Sequence, residues 1–375
     1  MGAVLRYRLG PEFVAYRVLK SGLETMLFKR NGQGKRDIAV GLDLGSSQIK
    51  AAVLRRKEGA LELAEYAVVR STAAIGQPGT EQQLAAELQQ LMAGLKVQER
   101  RVSAAISCSS AMVCEAELPR MPLEEAKNAL KLNSTRYLRR DFSNYYLDAM
   151  ELPGPSENGK GKKPATMKVL VGGANKEEVL WYRNGLVAAK IRPEVIELAA
   201  VSVVNAFQVG DPELCEKEVV LLIDIGTRST SINFLQGGQP HMTRIMHFGG
   251  AQISEQVAQS LTLQADAAEE EKIKMSAPVQ PLVKTALLPL AKELRSSIDF
   301  FERQQECHVG KAFACGGSAC APKILEFLSE EVGLHIECWN PVQRFQTGHF
   351  NGEGPGLAAV APSLAAAVGA AATKV

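Results

Sequence analysis

Asp43-Leu44-Gly45-Ser46-Ser47-Gln48-Ile49-Lys50 and Asp224-Ile225-Gly226-Thr227-Arg228-Ser229-Thr230 carry one pattern twice: an Asp, an apolar residue, a Gly, then small or hydroxylated residues. Each follows an apolar run. Ile38 to Leu42 reads as a buried strand that turns at Gly45, with Ile49 to Leu54 returning; Val219 to Ile223 and Ser231 to Leu235 repeat the device around Gly226. A Gly in such a turn lets the backbone approach an anion, exposed N–H groups and hydroxyls can bond phosphate oxygens, and an Asp at the strand end can hold a hydrated cation. Two such turns facing each other would grip a polyphosphate from both sides. The candidate phosphate ligands are Gly45, Ser46, Ser47, Gly226, Thr227 and Thr230, with Asp43 and Asp224 near an Mg²⁺ reached through water. Hydroxyls also cap tight turns locally, and Lys50 alone on a strand face would be solvated; in register with the Asp-x-Gly turn, a phosphate contact is favoured for it.

The ordered pair of turns resembles the superfamily of actin, sugar kinases, the large heat-shock chaperones and the cell-division protein FtsA. The resemblance makes them phosphate loops 1 and 2 and extends to Gly249-Gly250, to Ala268-Glu269-Glu270-Glu271-Lys272, and to Ala312-Phe313-Ala314-Cys315-Gly316-Gly317-Ser318. It implies ATP and Mg²⁺ as cofactors, an adenosine loop at Gly316, Gly317 and Ser318, Glu269 bonding the ribose hydroxyls and Lys272 stacking on the base. Charged residues on an acidic helix are otherwise simply solvated.

Within that superfamily the chain is similar to the PilM family of type IV pilus assembly from Met26 onward. The resemblance rests on Val40 to Ser47 with Lys50, Glu117-Leu118-Pro119-Arg120-Met121-Pro122 with Glu124-Glu125, and Phe248-Gly249-Gly250-Ala251-Gln252-Ile253. It continues through Ile298-Asp299-Phe300-Phe301, Gly333-Leu334 and Asn340-Pro341 to the small-residue tail Ala361 to Gly369. The implied fold class is α/β, actin-like, with duplicated ribonuclease H-like domains and the inserted subdomain called 1C in FtsA and PilM. The expected organisation is an extension over 1–36, a first subdomain over 37–101 and 176–215, the insertion over 102–175, a second subdomain over 216–262 and 309–375, and a helical subdomain over 263–308. Helices are expected at Gln82 to Leu95, Leu123 to Tyr137, Glu177 to Asn184 and Val195 to Phe207. The helical region Gln259 to Glu306 is expected to break at Pro278, Pro281 and Pro289. The loop Pro153 to Pro164 reads as polar and mobile.

Composition sets bounds. With 375 residues, 46% hydrophobic, 22% charged and a formal net charge of +2, the chain reads as an ordinary globular protein of two or more domains and not a dedicated nucleic-acid binder. No apolar run approaches the roughly 20 residues that span a bilayer, so a cytoplasmic protein, peripheral to the inner membrane through partners, is expected. Seven scattered cysteines, with no Cys-x-x-Cys, read as buried free thiols, and the five histidines form no metal pair. Residues 1–25 lie outside the resemblance. They read either as an extension without consequence or as a basic, partly amphipathic segment touching anionic lipid or a partner.

The resemblance implies an ATP-binding scaffold of a type IV pilus or type II secretion-like complex, binding the N-terminal cytoplasmic tail of a PilN-like bitopic membrane protein, with self-association also possible. The tail would lie extended in a groove between the first subdomain and the insertion, where Tyr137, Phe142, Tyr145 and Tyr146 either offer pockets or pack a core. Hydrolysis would need a residue that orients water. Only Glu194 and Glu197 present themselves, and a helix start accounts for both equally well, so turnover is expected to be slow or absent. The alternatives are a sugar or small-molecule kinase, which would need a substrate-activating carboxylate the sequence does not show, and an FtsA-like cytoskeletal protein. FtsA ends in a membrane-seeking amphipathic helix, whereas Leu357 to Val375 is Ala-rich and suited to packing on the first domain.

Overall fold

The computed structural model describes residues 37–152, 165–348 and 356–375. The expectations for residues 1–36 and for the loop Pro153 to Pro164 fall outside the described residues.

In chain order the strands are β1 (Ile38–Leu44), β2 (Gln48–Lys57), β3 (Ala60–Arg70), β4 (Arg101–Ile106), β5 (Met112–Pro119), β6 (Tyr145–Glu151) and β7 (Thr166–Asn175). They continue with β8 (Arg192–Leu198), β9 (Val220–Ile225), β10 (Thr230–Gln236), β11 (Gln239–Met246), β12 (Lys311–Cys315), β13 (Ile336–Cys338) and β14 (Gln346–Thr347). The first sheet has the order β14-β3-β2-β1-β4-β8 and the second β11-β10-β9-β12-β13. In each, an antiparallel meander of three strands is followed by two strands parallel to its first member. Apart from the two-residue β14, the halves have the same topology, which is the expected duplication. Strands β5-β7-β6 form a separate antiparallel sheet, the insertion.

Parallel neighbours need a crossover, and the crossovers here are helical. Helices Glu81–Ala93 and Lys176–Ala188 cover one face of the first sheet, packing Leu88, Leu91, Trp181 and Tyr182 against Val40, Leu42 and Ile49. The opposite face takes helices Ala199–Gly210 and Ala365–Ala372. The second is apolar all round, as a fully buried helix must be, and contains only Ala, Val and Gly. The reason is the spacing. A Cβ on Gly41 of β1 would overlap the Ala367 carbonyl oxygen, and one on Gly369 would overlap the Ser202 carbonyl oxygen. The tail is therefore wedged between a strand and a helix at backbone contact.

Four expectations change. Val195 to Phe207 is not one helix: β8 runs to Leu198 and the helix starts at Ala199, because β-branched Val195 and Ile196 fill a buried position beside Ser103 and Ala104 of β4. Leu123 to Tyr137 splits into Leu123–Leu132 and Ser134–Leu138, parting at Asn133, whose backbone is not helical. Pro289 does not break its helix. Gln280–Gln305 runs through it, since Ala286, Leu287, Leu290 and Ala291 on either side are buried in the second core, and Pro281 sits in the first turn, where no N–H is missed. Residues 309–375 do not all belong to the second half, because β14 pairs with β3 and helix Ala365–Ala372 packs on the first sheet.

Replacing Gly369 by Ala should cost about 2–3 kcal/mol of stability, since the new methyl meets a backbone oxygen that no rotamer change can move. That exceeds the roughly 1 kcal/mol of helix propensity gained. Gly356→Ala, where a Cβ meets nothing within 4 Å, serves as the control, and urea unfolding of the two variants should separate them.

Candidate functional site

Asp43 and Asp224 are the penultimate residues of β1 and β9, so the duplicated topology brings the two carboxylates to equivalent strand ends. Across the first hairpin Asp43 faces Lys50 in register, and Lys50 Nζ lies 3.0 Å from Asp43 Oδ2, both side chains buried. The solvated-face reading of Lys50 is thereby excluded. Ser231 stands opposite Asp224, so the second hairpin has no matching cation. Burial and then the charge of Asp43 push the Asp224 carboxyl up to about 6, against the Lys50 charge and a hydrogen bond from the Cys315 thiol. Cys315 is the partner of Asp224 on parallel strand β12, and burial holds its own thiol well above the usual range, leaving it a donor.

The turn between β9 and β10 is closed by the Gly226 N–H on the Ser229 carbonyl at 3.0 Å. Helix Gly250–Leu261 abuts it. The N–H groups of Gly250 and Ala251 donate to the carbonyls of Gly226 and Thr227 at 2.9 and 2.8 Å. No peptide among the described residues is cis, so the next N–H of each unit, on Thr227 and Arg228, points away from that helix. Among the described residues neither amide has an acceptor. The approach needs Gly249, where a Cβ would lie 2.5 Å from the Gly226 oxygen; its N–H donates to Gln252 Oε1 at 2.9 Å. Thr227 Oγ1 lies 2.7 Å from Ser47 Oγ of the facing turn, so the two hairpins touch. In that first turn a Cβ on Gly45 would come 2.7 Å from the Gln48 carbonyl, and the Ser47 carbonyl accepts from Ser71 N–H at 2.8 Å. Ser46, between them, is half-buried. Thr230 is buried and donates to the Phe248 carbonyl at 2.8 Å, a brace under the loop.

Behind the second turn lies a further group. Gly316 has φ +90, and a Cβ there would meet Asp224 Oδ1 at 2.5 Å, so only Gly fits. Next to it Gly317 faces open space. A Cβ on Gly250 would fall 2.6 Å from Ser318 Oγ. Buried Lys272 donates to the Gly250 carbonyl at 3.2 Å and to Glu269 Oε2 at 2.7 Å, and Ser254 donates to the same carboxylate oxygen. Residues from five separated segments thus share one cleft, and Arg70 and Asp266 pair across it at 3.3 Å, largely in solvent.

Other sequence candidates come from elements outside this group, although Glu197 stands level with Asp43 across β4. Glu194 and Glu197 sit on β8, not on a helix start. Glu197 is 1% exposed, and its Oε1 accepts from Ser202 Oγ at 2.5 Å and from Asn205 Nδ2 at 3.3 Å; Glu194 lies 4.0 Å from Lys374. Phe142 is buried edge-on to Tyr145 at 4.9 Å, Tyr137 joins the same insertion core, and Tyr146 packs on the core of the first sheet. All seven cysteines are free, but only Cys108, Cys215 and Cys315 are buried; Cys320 and Cys338 are exposed, because strand ends and the 3-10 turn place them at the surface. No cluster of metal-ligating side chains occurs among the described residues. The thiol beside Asp224 and the amides around Arg228 had no separate signal in the sequence, since both depend on register and turn geometry.

Asp224 makes the unliganded fold pH-sensitive. Its folded pKa is raised from the ordinary 3.8 to about 6, so its ionisation destabilises the fold fully above about 6 and that cost fades as the pH falls toward the ordinary carboxylate range. Asp224→Asn should therefore raise the thermal midpoint of the ligand-free chain at pH 7.5 and flatten its change between pH 7 and 4.5. An equal loss of stability at both pH values would contradict this.

The model of the family "Type IV pilus assembly protein PilM" matches residues 41–374. Among solved structures, a chain of a PilM-PilN type IV pilus biogenesis complex is similar, with TM-score 0.78 and 24% identity over 91% of this chain and 99% of that one. The ethanolamine utilization protein EutJ from Carboxydothermus hydrogenoformans is also similar, with TM-score 0.55 and 14% identity over 91% of each chain. The fold is the actin-like one expected, and no helix of the described residues is long and apolar enough to cross a membrane. With the family model spanning nearly all the described residues, the chain belongs to the PilM family of type IV pilus assembly proteins.

Proposed function

We propose that the cleft binds ATP with Mg²⁺ and that the chain works as a nucleotide-held scaffold at the cytoplasmic face of a pilus or type II secretion-like assembly. The observation that carries this reading is the convergence on one cleft of two unaccepted amides, the Ser47 and Thr227 hydroxyls, and two carboxylates of which only Asp43 is paired with a lysine. The donor set fits the cofactor. Amides and hydroxyls suit phosphate oxygens, and carboxylates of this kind hold Mg²⁺ through its water shell. Mg²⁺, when bound, neutralises charge on the triphosphate. Glu269, Lys272, Gly316, Gly317 and Ser318 border the remaining space and are suited to the nucleoside. Glu197 is closed off from water and already engaged by two donors, so nucleotide acts here as a ligand with slow turnover or none.

Calorimetric titration with Mg²⁺ and ATP should give binding to the natural chain and affinity at least tenfold lower for Asp43→Ala and for Asp224→Ala. Unchanged affinity in both variants would remove the cleft from consideration.

The partner in this reading is the N-terminal cytoplasmic tail of a PilN-like membrane protein, in keeping with the similar chain from a PilM-PilN type IV pilus biogenesis complex. Its proposed anchor is a small apolar recess, about 10 Å³, where Val113, Met150 and Leu170 of the insertion meet Ala200 and Val204 of helix Ala199–Gly210 and Pro240 of β11, and whose walls would part to admit a side chain. An extended peptide would gain specificity by placing an apolar side chain there. The aromatic rings named from sequence are largely engaged in packing, so the recess is the better anchor. Photo-crosslinking of a peptide carrying the partner's first residues should label the insertion and the first subdomain within reach of Val113 and Met150. Labels confined to residues 218–375 would count against it.

A further inference from the structure

Arg228 is at the tip of the second turn, exposed, and has neither an ion pair nor a hydrogen bond among the described residues. That isolates it among the cations of the cleft. Lys50 is bound to Asp43, Lys272 to Glu269 and the Gly250 carbonyl, and Arg70 to Asp266. Two carboxylates and one lysine leave the cleft floor with a net negative charge, which opposes a polyanion unless cations are added. Mg²⁺ supplies some, and the uncommitted side-chain cation at the tip of the second loop supplies the rest.

The turn also has a direction. The carbonyls of Gly226 and Thr227 face helix Gly250–Leu261, on the side of Ser318 and Lys272, while the Thr227 and Arg228 amides face away from it. The charge of Arg228 is felt at the Tyr182 hydroxyl, a group of the opposite half that donates to the Ser107 carbonyl at 3.0 Å. A ligand whose nucleoside lies by Gly250, Ser318 and Lys272 would run past the tip of this turn with its far end toward Arg228.

We propose that Arg228 contacts the terminal phosphate of a nucleoside triphosphate and makes the cleft discriminate triphosphate from diphosphate. The proposal rests on the nucleotide reading of the two loops. A guanidinium presents a planar fork of donors that matches phosphate oxygens, and charge-assisted bonds of this kind are the strong ones. The residue binds and discriminates; it need not accelerate hydrolysis.

The test is calorimetry on the full chain with Mg²⁺ and either ATP or ADP, for the natural protein, Arg228→Ala and Arg228→Lys. Arg228→Ala should weaken ATP roughly tenfold or more while leaving ADP within about twofold, and Arg228→Lys should recover part of the loss as a point charge without the fork. Because the side chain is exposed, the thermal midpoint of the ligand-free variants should stay that of the parent. Equal losses for the two nucleotides, or no loss for either, would overturn the role of Arg228 while leaving the nucleotide site standing. A natural chain that takes up neither nucleotide would bring down the reading of the loops, and this inference with it.

Discussion

Backbone-to-backbone packing of the tail helix is the constraint on which the rest depends. Helix Ala365–Ala372 can lie against β1 and against helix Ala199–Gly210 at once only because Gly41 and Gly369 lack side chains. That contact fixes the position of β1, and with it Asp43 and the first turn. The same core holds Ala52 and Leu54 of the first sheet together with Val220, Leu222 and Phe313 of the second. Tightly packed interiors transmit displacement instead of absorbing it. The bases of the two hairpins are therefore held in one frame, and freedom is left mainly at the rim, where the link is an exposed pair, Arg70 with Asp266, of a kind worth at most about 1 kcal/mol.

Two buried ion pairs show what separates a structural charge from a site. In the insertion, Lys127 lies 2.8 Å from Asp148 and 3.3 Å from Glu124, which reaches into solvent; the buried charges balance. In the cleft Lys50 serves Asp43 at 3.0 Å, and Asp224 is left to the Cys315 thiol and pushed toward its neutral form. Asp224 is half-buried, with enough protein around its carboxyl group for burial to be the first cause of its upward shift. Holding a carboxylate there without a full counter-charge is costly, and a fold with no use for it would be expected to have an amide or an apolar residue there. The imbalance of one charge is what a cation from solution would correct.

The Asp-x-Gly turns were legible because their information is local: a strand, a Gly at the tip and an Asp two residues before it decide the geometry. The duplicated topology followed from finding that device twice. Elements whose fate is set by distant partners were not legible. Val195 and Ile196 became strand because β4, about ninety residues earlier in the chain, offers a buried parallel edge. Pro289 stayed within a helix because the second core holds the turns on both sides. Cys315 could not be paired with Asp224 without the register of β12 on β9, and Glu197 could not be seen as a hydrogen-bonded core carboxylate without helix Ala199–Gly210 folded over it. Lys50 lies between these cases: its hairpin register was readable, but its engagement with Asp43 in place of solvent depends on the burial of the whole strand end.

The apolar recess is lined from three directions: Val113, Met150 and Leu170 from the insertion, Ala200 and Val204 from the first half, and Pro240 and Thr243 from the second. Its shape is therefore a function of how the halves sit, as is the contact between Ser47 and Thr227 at the bottom of the cleft. Any ligand that favours one separation of the hairpins also favours one shape of the recess, with no residue common to both places. Thermodynamic reciprocity then requires an occupant of the recess to change affinity in the cleft by the same factor that a cleft ligand changes affinity in the recess. Such coupling needs only binding.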